Sequence, residues 1–387
     1  MEQKSEESLA MLKLNASKVR PDVLHKLLSD FGSASAVLEQ RPGDADSGGA
    51  FSAKTLQYLL LTAGRFDAEA EWNLAQKMGV DVVFYGSSSY PDGLGAIYDP
   101  PLVLYVKGKL PRSGASGASS AESPATGRGG GVAIVGTRRP TPYGRRVAAR
   151  LSRECAAAGL TTVSGLARGV DTVCHQTSVD EKGVTLAVLG SGHRRLYPGE
   201  NQYLADRIAC EGGAVISEFP LSTPPDAANF PRRNRIIAGL AEAAVVVEGG
   251  RKSGALITAR LALEQGKEVF AVPGPIDSEE SWAPNYLIRQ GAHIVESIRD
   301  VLEAAPGLLS AAPASPALAP KMAAAGSSGE LGPREAKLLE LLGGGLKSID
   351  ELVLETRWPA ASVTQGMMEL EMRDKILYVN GQRYARK

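Results

Sequence analysis

Between Val132 and Gly254, four apolar runs each break off at a glycine-rich turn carrying positive charge or hydroxyl groups. They read V-A-I-V-G-T-R-R (132–139), V-S-G-L-A-R-G-V-D (163–171), V-L-G-S-G-H-R-R (188–195) and V-V-V-E-G-G-R-K-S-G (245–254). Strand patterns near 132–135, 161–164, 184–189, 214–217, 244–248 and 268–272 alternate with helical patterns near 143–158, 200–210, 232–242 and 255–266. Strands that are apolar on both faces and alternate with helices form a parallel sheet covered on both sides. The fold class is therefore read as α/β, a Rossmann-like, doubly wound parallel sheet, with residues 285–303 as its closing unit. Such a sheet gathers its strand ends at one edge, so the four turns are expected to line one crevice.

Two stretches are too poor in large apolar residues to build a core. Residues 111–131 are Gly, Ser, Ala and Pro, the composition of a flexible tether, and 305–332 form a Pro/Ala-rich spacer. They divide the chain into a module of residues 1–110, a central domain of 132–304 and a small module of 333–387. The first opens with amphipathic patterns around Leu9–Leu14, Val23–Leu28 and Ala36–Leu38, resembling a helical hairpin. A helix over 65–78 and strands at Val80–Tyr85 and Leu102–Val106 follow. Its hairpin turn, NASKVRP, lacks the glycine of a helical hairpin that grips DNA, so packing or assembly is the first reading. In the last module, a helix over 334–342, a capping box at Ser348–Glu351, a helix over about 359–374 and an Asn380-Gly381 turn read as a winged helix-turn-helix. The third helix carries Glu369, Glu371 and Asp374 against Arg373 and Lys375, so protein contact ranks ahead of duplex reading.

Composition narrows the partners. The 43 basic and 43 acidic residues cancel, so any anion site must be local. Cys155, Cys174 and Cys210 match no zinc spacing and suit a reducing cytosol, and neither a metal nor a cofactor is expected. No signal-peptide pattern opens the sequence, and no run approaches the roughly 20 apolar residues of a membrane span. The reading is a cytoplasmic protein without a membrane partner.

The turns are suited to phosphate. Gly136, Thr137, Arg138 and Arg139 precede a helix, and Gly165, Arg168 and Gly169 follow the second strand. Glycine admits a ligand close to the backbone, while a helix N-terminus offers free N–H groups. Lys252, Ser253 and Gly254 open another helix in the same way. The segment Asn229, Phe230, Pro231, Arg232, Arg233, Asn234, Arg235 adds three arginines on what is read as a helix's first turn, at the crevice edge. A lone phosphate needs no phenyl ring, but a single-stranded nucleic acid stacks its bases on aromatic faces. Asp171 and His175 are read as a helix cap and a packing residue rather than as a catalytic pair. Glu218 and Glu248, at strand ends among arginines, are read as carboxylates that hold guanidinium groups in place.

Two enzyme signatures are incomplete in this sequence. The first turn lacks the G-x-G-x-x-G spacing of dinucleotide binders, and no G-K-[ST] follows a strand. Rossmann-like hydrolases that cleave nucleoside monophosphates carry PGG-x-GT ahead of a helix. Here Glu248–Gly254 has neither that Pro nor the adjacent Gly-Thr, which favours binding over hydrolysis.

Taken in order, VGTRRPTPYG, SGLARGVD with His175, LGSG with Tyr197-Pro198 and Asn201, ISEFP, NFPRRNRIIAGL, KSGALITA and VPG with Asn285 span 132–292. This series resembles the DNA-processing protein A family, DprA, also called Smf. Tyr90-Pro91, Asp99-Pro100-Pro101 and Leu104-Tyr105 with Gly108 agree with it; Ala283 and the glycine-free hairpin turn depart from it. The resemblance implies a non-enzymatic cytosolic homodimer that binds single-stranded DNA entering in natural transformation, shields it and helps load the RecA recombinase. It places DNA contact on Arg138 and Asn229–Arg235, with Lys252–Gly254 beside them.

Overall fold

A computed structural model describes residues 4–41, 52–111, 130–305, 308, 333–343, 347–372, 375–379 and 383–386. They belong to two compact units, Met1–Leu318 and Ala319–Lys387. Most of the 111–131 tether and of the 305–332 spacer lies outside the described residues.

The first unit begins with five helices: α1 (Glu6–Ala16), α2 (Pro21–Phe31), α3 (Ala34–Leu38), α4 (Ala53–Gly64) and α5 (Ala68–Lys77). Ser5, Ser33, Ser52 and Asp67 each accept a bond from a first-turn N–H, which is why these helices start where they do. In the hairpin turn between α1 and α2, Lys18 takes the left-handed conformation (φ 61°) that glycine would adopt without strain. β1 (Asp81–Phe84), α6 (Asp92–Gly95) and β2 (Val103–Gly108) follow.

The central region supplies β3 (Gly131–Val135), α7 (Pro142–Ala157), β4 (Thr161–Ser164), α8 (Val170–Asp180), β5 (Thr185–Val188), α9 (Gln202–Cys210) and β6 (Ala214–Ser217). It continues with α10 (Asn229–Gly239), β7 (Ala243–Val246), α11 (Gly254–Glu264), β8 (Glu268–Ala271), α12 (Trp282–Arg289), β9 (His293–Ile294) and α13 (Ile298–Ala304). The strands form one nine-stranded sheet in the order β1-β2-β6-β5-β4-β3-β7-β8-β9. From β3 to β9 every pairing is parallel; β2 joins β6 antiparallel and β1 joins β2 antiparallel. The expected strands and the closing unit are therefore present. The boundary drawn at 111–131, however, falls between two strands of one sheet. Within residues 1–110, β1 and β2 lead into the core by joining the central sheet through β6.

Alternate residues of each strand face opposite layers. Ala133, Val135, Ala244 and Val246 point to α10, α11 and α12. Val132, Ile134, Val245 and Phe270 point to α7, α8 and α13, and Ala187 with Val215 points to α9. The chain steps from β3 through β4 and β5 to β6, then returns to the other side of β3 as β7. This reversal beside β3 is where an open α/β sheet leaves a crevice at its carboxyl edge.

The second unit holds α14 (Pro333–Leu342), β10 (Lys347–Ser348), α15 (Ile349–Thr356), α16 (Ala360–Met372), β11 (Ile376–Val379) and β12 (Arg383–Arg386). Its core is Leu338, Leu342, Leu352, Val363, Met367 and Leu370. The Ser348–Glu351 capping box is formed, and the sheet order β10-β12-β11 completes a winged helix. The Asn380-Gly381 turn and the charged side chains Glu369, Glu371, Arg373 and Asp374 lie outside what is described.

Candidate nucleic-acid interface

The loops that follow β3, β4, β5 and β7 meet at the carboxyl edge of the sheet, and α10 begins there. The loop after β3 is held from beneath by the β7 side: Thr137 N–H donates to the Glu248 carbonyl at 2.7 Å. Thr141 then caps α7, accepting from Gly144 N–H. The Glu248 carboxylate accepts from Thr141 N–H (2.9 Å) and Thr141 Oγ1 (2.5 Å). Glu248 is thus buried under the start of α7 and, contrary to expectation, holds no arginine.

Residues 165–169 form a loop fastened from three directions. Asp171 Oδ2 accepts from Gly165 and Ala167 N–H, and Asn201 Nδ2 donates to the Leu166 carbonyl. His175 Nε2 accepts from Leu166 N–H. Its Nδ1 lies 2.7 Å from Thr185 Oγ1, which itself donates to the Thr162 carbonyl, so Nδ1 carries the proton. Burial lowers the His175 pKa to about 3, with the Arg233 charge acting in the same direction. The ring is neutral and structural, and Asp171 is structural as well. What this fastening presents to solvent is Arg168.

The three arginines of α10 divide by direction. Arg233, buried, donates through Nη1 to the carbonyls of Gly165 (2.7 Å) and Val188. A Cβ on Gly165 would lie 2.6 Å from its guanidinium, which the two carbonyls hold in place. Burial pulls the Arg233 pKa down to about 10, partly offset by Asp171, which leaves it a cation at neutral pH. Arg235, also buried, donates through Nη1 (2.8 Å) and Nη2 (2.9 Å) to Glu218, and its Nε reaches the Asp99 carboxylate at 2.9 Å. Only Arg232 stays partly open: Nη2 binds Glu218 at 2.9 Å, the side chain is 32% exposed, and Nε has no partner. The expectation that all three arginines face a phosphate track is therefore corrected. α10 starts at Asn229, so Arg235 lies beyond its first turn and turns inward, and Arg233 bridges strand ends beneath the loops. Glu218 does hold guanidinium groups, as expected. Burial alone would raise its pKa, but Arg235 and Arg232 hold it below the usual carboxylate value.

The exposed part of the edge is a cluster of rings and cations. Phe230, half-buried, rests over Gly190, where a Cβ would come within 2.8 Å of the ring. Arg138, exposed, sits 5.3 Å above the Phe230 centroid. Tyr197 meets Phe230 edge-on at 5.9 Å, and Arg168 lies 5.8 Å over Tyr197 while pairing with Glu200. Gly136 and Thr137 lead into this cluster, Arg139 is exposed beside Arg138, and Asn229 is half-buried at the start of α10. Asn234 is buried, with Nδ2 3.5 Å from the Gly254 carbonyl. Ser253 caps α11, and Lys252 and Gly254 are exposed beside it. Among the described residues, no group of three His, Cys, Asp or Glu could hold a metal, and no helix is long and apolar enough to cross a membrane.

Known proteins share this arrangement. The family model of DNA recombination-mediator protein A matches residues 81–306, more than half of the chain. The chain belongs to the DNA recombination-mediator protein A family. The DprA winged helix domain matches 319–382. DNA processing protein DprA of Bacillus subtilis is 42% identical over 231 residues, 60% of this chain and 73% of that protein. Protein Smf of Escherichia coli is 44% identical over 217 residues, 56% of this chain and 54% of that protein. The crystal structure of DprA from Streptococcus pneumoniae superposes with a TM-score of 0.63 at 31% identity, covering 78% of this chain and 98% of that one.

Within this DprA fold, two features of the edge escaped the sequence reading. Tyr197 was read only as part of a motif, although an aromatic residue before proline in a strand-end loop is a signal for an exposed ring. The Arg168–Glu200 pair joins loops 32 residues apart and has no local signature.

Proposed function

We propose that this DprA protein binds single-stranded DNA along the carboxyl edge of the sheet and acts as a recombination mediator without catalysing a reaction. The observation that carries the reading is the exposed cluster of Phe230 and Tyr197 flanked by Arg138 and Arg168. It is set on loops that internal hydrogen bonds have already ordered. Rings accept unpaired bases, cations accept phosphates, and ordered loops lower the entropic cost of binding. Gly136, Thr137, Arg139, Gly165, Gly169, Asn229, Arg232 and Lys252–Gly254 complete the surface. Arg233, Asn234 and Arg235 serve it from beneath. A binding role rather than hydrolysis of nucleoside monophosphates is supported by the carboxylates. Asp171, Glu218 and Glu248 are all buried and occupied by hydrogen bonds, which leaves none of them free as a base.

The further steps belong to the same proposal: a cytoplasmic homodimer that shields incoming strands in transformation and delivers them to RecA. Leu263 (57% exposed) and Ile294 (51% exposed), at the β9 end of the sheet, are apolar surface that a second copy would cover. Titration with single-stranded and duplex oligonucleotides over a range of salt tests the binding step. Arg138→Ala should reduce the log–log salt slope by about 0.7, one lost phosphate contact. Phe230→Ala should cost roughly 1–3 kcal/mol of single-strand affinity with little change in slope. Equal affinity for duplex and single strand, or no effect of either variant, would refute the reading.

A further inference from the structure

A second ring cluster lies at the other end of the same edge. α12 buries Ala283 and Leu287 against the sheet, and this leaves Trp282 and Tyr286, one turn apart, outside the hydrophobic cores. Their rings are parallel within 8° at 5.0 Å. Arg251, from the Gly249-Gly250 loop after β7, places its guanidinium 4.8 Å over the Trp282 ring. The two supports are bracketed together: Ala283 N–H donates to the Gly249 carbonyl at 2.7 Å, and Gly249 N–H to the Glu280 carbonyl at 2.6 Å. The result is an ordered column of Arg251, Trp282 and Tyr286, with Trp282 half-buried, Arg251 exposed and Tyr286 36% exposed.

Nothing in the core requires this column, and its place is informative. Phe230 and Tyr197 stand at the β5 end of the edge and the column stands at β8. The intervening strands β4, β3 and β7 carry Arg168, Arg138 and Lys252 at their ends. Four strand spacings, about 19 Å, separate β5 from β8, and Phe230, which also meets Arg138 at the β3 end, covers part of that span. Glu279, beside Gly250, borders the column and makes it a poor place for phosphates, so what it offers is the exposed planes of Tyr286 and Arg251.

We infer that the Arg251–Trp282–Tyr286 column is a second base-stacking platform, reached by a single strand that runs from Phe230 across the arginine-lined strand ends to β8. The inference rests on the single-strand reading above and adds a direction and a minimum length to it. A short strand occupies the Phe230 end alone, and a long one engages both ends.

The test uses the full chain with a thymidine dinucleotide, too short to reach both ends, and an oligothymidylate of about 16 nucleotides, the upper span of typical single-strand sites. Trp282→Ala should weaken the long oligonucleotide at least about fivefold, the low end for one lost stacked base, with an unchanged salt slope. It should leave the short one unaffected, whereas Phe230→Ala weakens both. A second measurement leaves Trp282 in place. The chain has three tryptophans, so Trp72→Phe with Trp358→Phe leaves Trp282 as the sole indole. Its fluorescence should be quenched by the long oligonucleotide and not by the short one. If Trp282→Ala fails to fold, Tyr286→Ala and the quenching decide. Wild-type affinity of the folded variants for both lengths, or quenching by neither, overturns the second platform while the Phe230 result upholds the first. Loss of the Phe230 effect overturns the single-strand reading itself.

Discussion

Replacing Arg235 with alanine is expected to damage the fold, whereas replacing Arg138 is expected to damage binding alone. The two arginines look alike in the sequence, and the structure separates them. The Arg235 side chain is 4% exposed and Glu218 is 1% exposed, joined by two hydrogen bonds of 2.8 and 2.9 Å. Removing one partner of a buried pair leaves an uncompensated charge and commonly costs about 3–5 kcal/mol. Glu218 would keep Arg232, which is 32% exposed and gives it one bond, so the lower end, about 3 kcal/mol, is expected. The same change frees the Asp99 segment, which Arg235 ties to α10 through its Nε. Against a total stability of about 5–15 kcal/mol this is a large fraction. Arg138 is exposed, and its contact with Phe230 is worth about 0.5–1 kcal/mol at such a site. Denaturant unfolding, together with single-strand titration under native conditions, distinguishes the two. If Arg235→Ala unfolds like the wild type but no longer binds, Arg235 faces DNA and the assignment of buried and exposed arginines is wrong.

Three further outcomes are expected. Gly165→Ala should cost about 1–3 kcal/mol and weaken binding, because the new Cβ would sit 2.6 Å from a guanidinium that its own hydrogen bonds hold in place; wild-type stability in denaturant would count against it. His175 and His193 are buried and neutral, their pKa values lowered by burial to about 3 and about 4. The unfolded chain therefore takes up protons that the folded one refuses, and stability falls as pH drops below about 6.5. Between about pH 6.5 and 5.5 the two histidines together contribute a fall of about 2 kcal/mol, which the raised carboxyls of Glu71, Asp99 and Asp171 oppose; if His175→Gln and His193→Gln leave the pH profile unchanged there, the neutral histidines are contradicted. Sedimentation of the full chain should give a dimer at micromolar concentration that Ile294→Asp converts to monomer, and an unaltered dimer would move the interface elsewhere.

The central fold was legible because its signal is local and repeated. β3, β4, β5 and β7 are apolar runs closed by glycine, and α7, α9, α10 and α11 have a period that the sequence displays. The ends of the fold were less legible. β1 and β2 read as strands, but nothing within Val80–Val106 says that their partner is Ala214–Ser217, since antiparallel pairing to β6 is a choice made across the chain. α4 went unread, although Leu56, Leu59 and Ala63 are its buried stripe. It follows a stretch of Gly and Asp that offers no run of apolar positions to anchor the pattern.

The candidate site shows the same limit at the level of single side chains. NFPRRNR announces charge and a ring, but adjacent helical residues point about 100° apart, so a run of arginines must distribute itself around the helix. Which of them faces inward depends on who waits there. For Arg233 it is the carbonyls of Gly165 and Val188, and for Arg235 it is Glu218 and Asp99. These partners lie up to 136 residues away, beyond the reach of any local pattern. The carboxylates followed a similar rule. Glu218 and Glu248 both end strands, yet one meets guanidinium groups and the other meets the N-terminus of α7. The chemistry a strand-end loop can perform is therefore set less by the charges it carries than by how many of them the fold has already used. Here the buried arginines order the edge, Arg168 is paired with Glu200, and the exposed Arg138 is left for the proposed ligand.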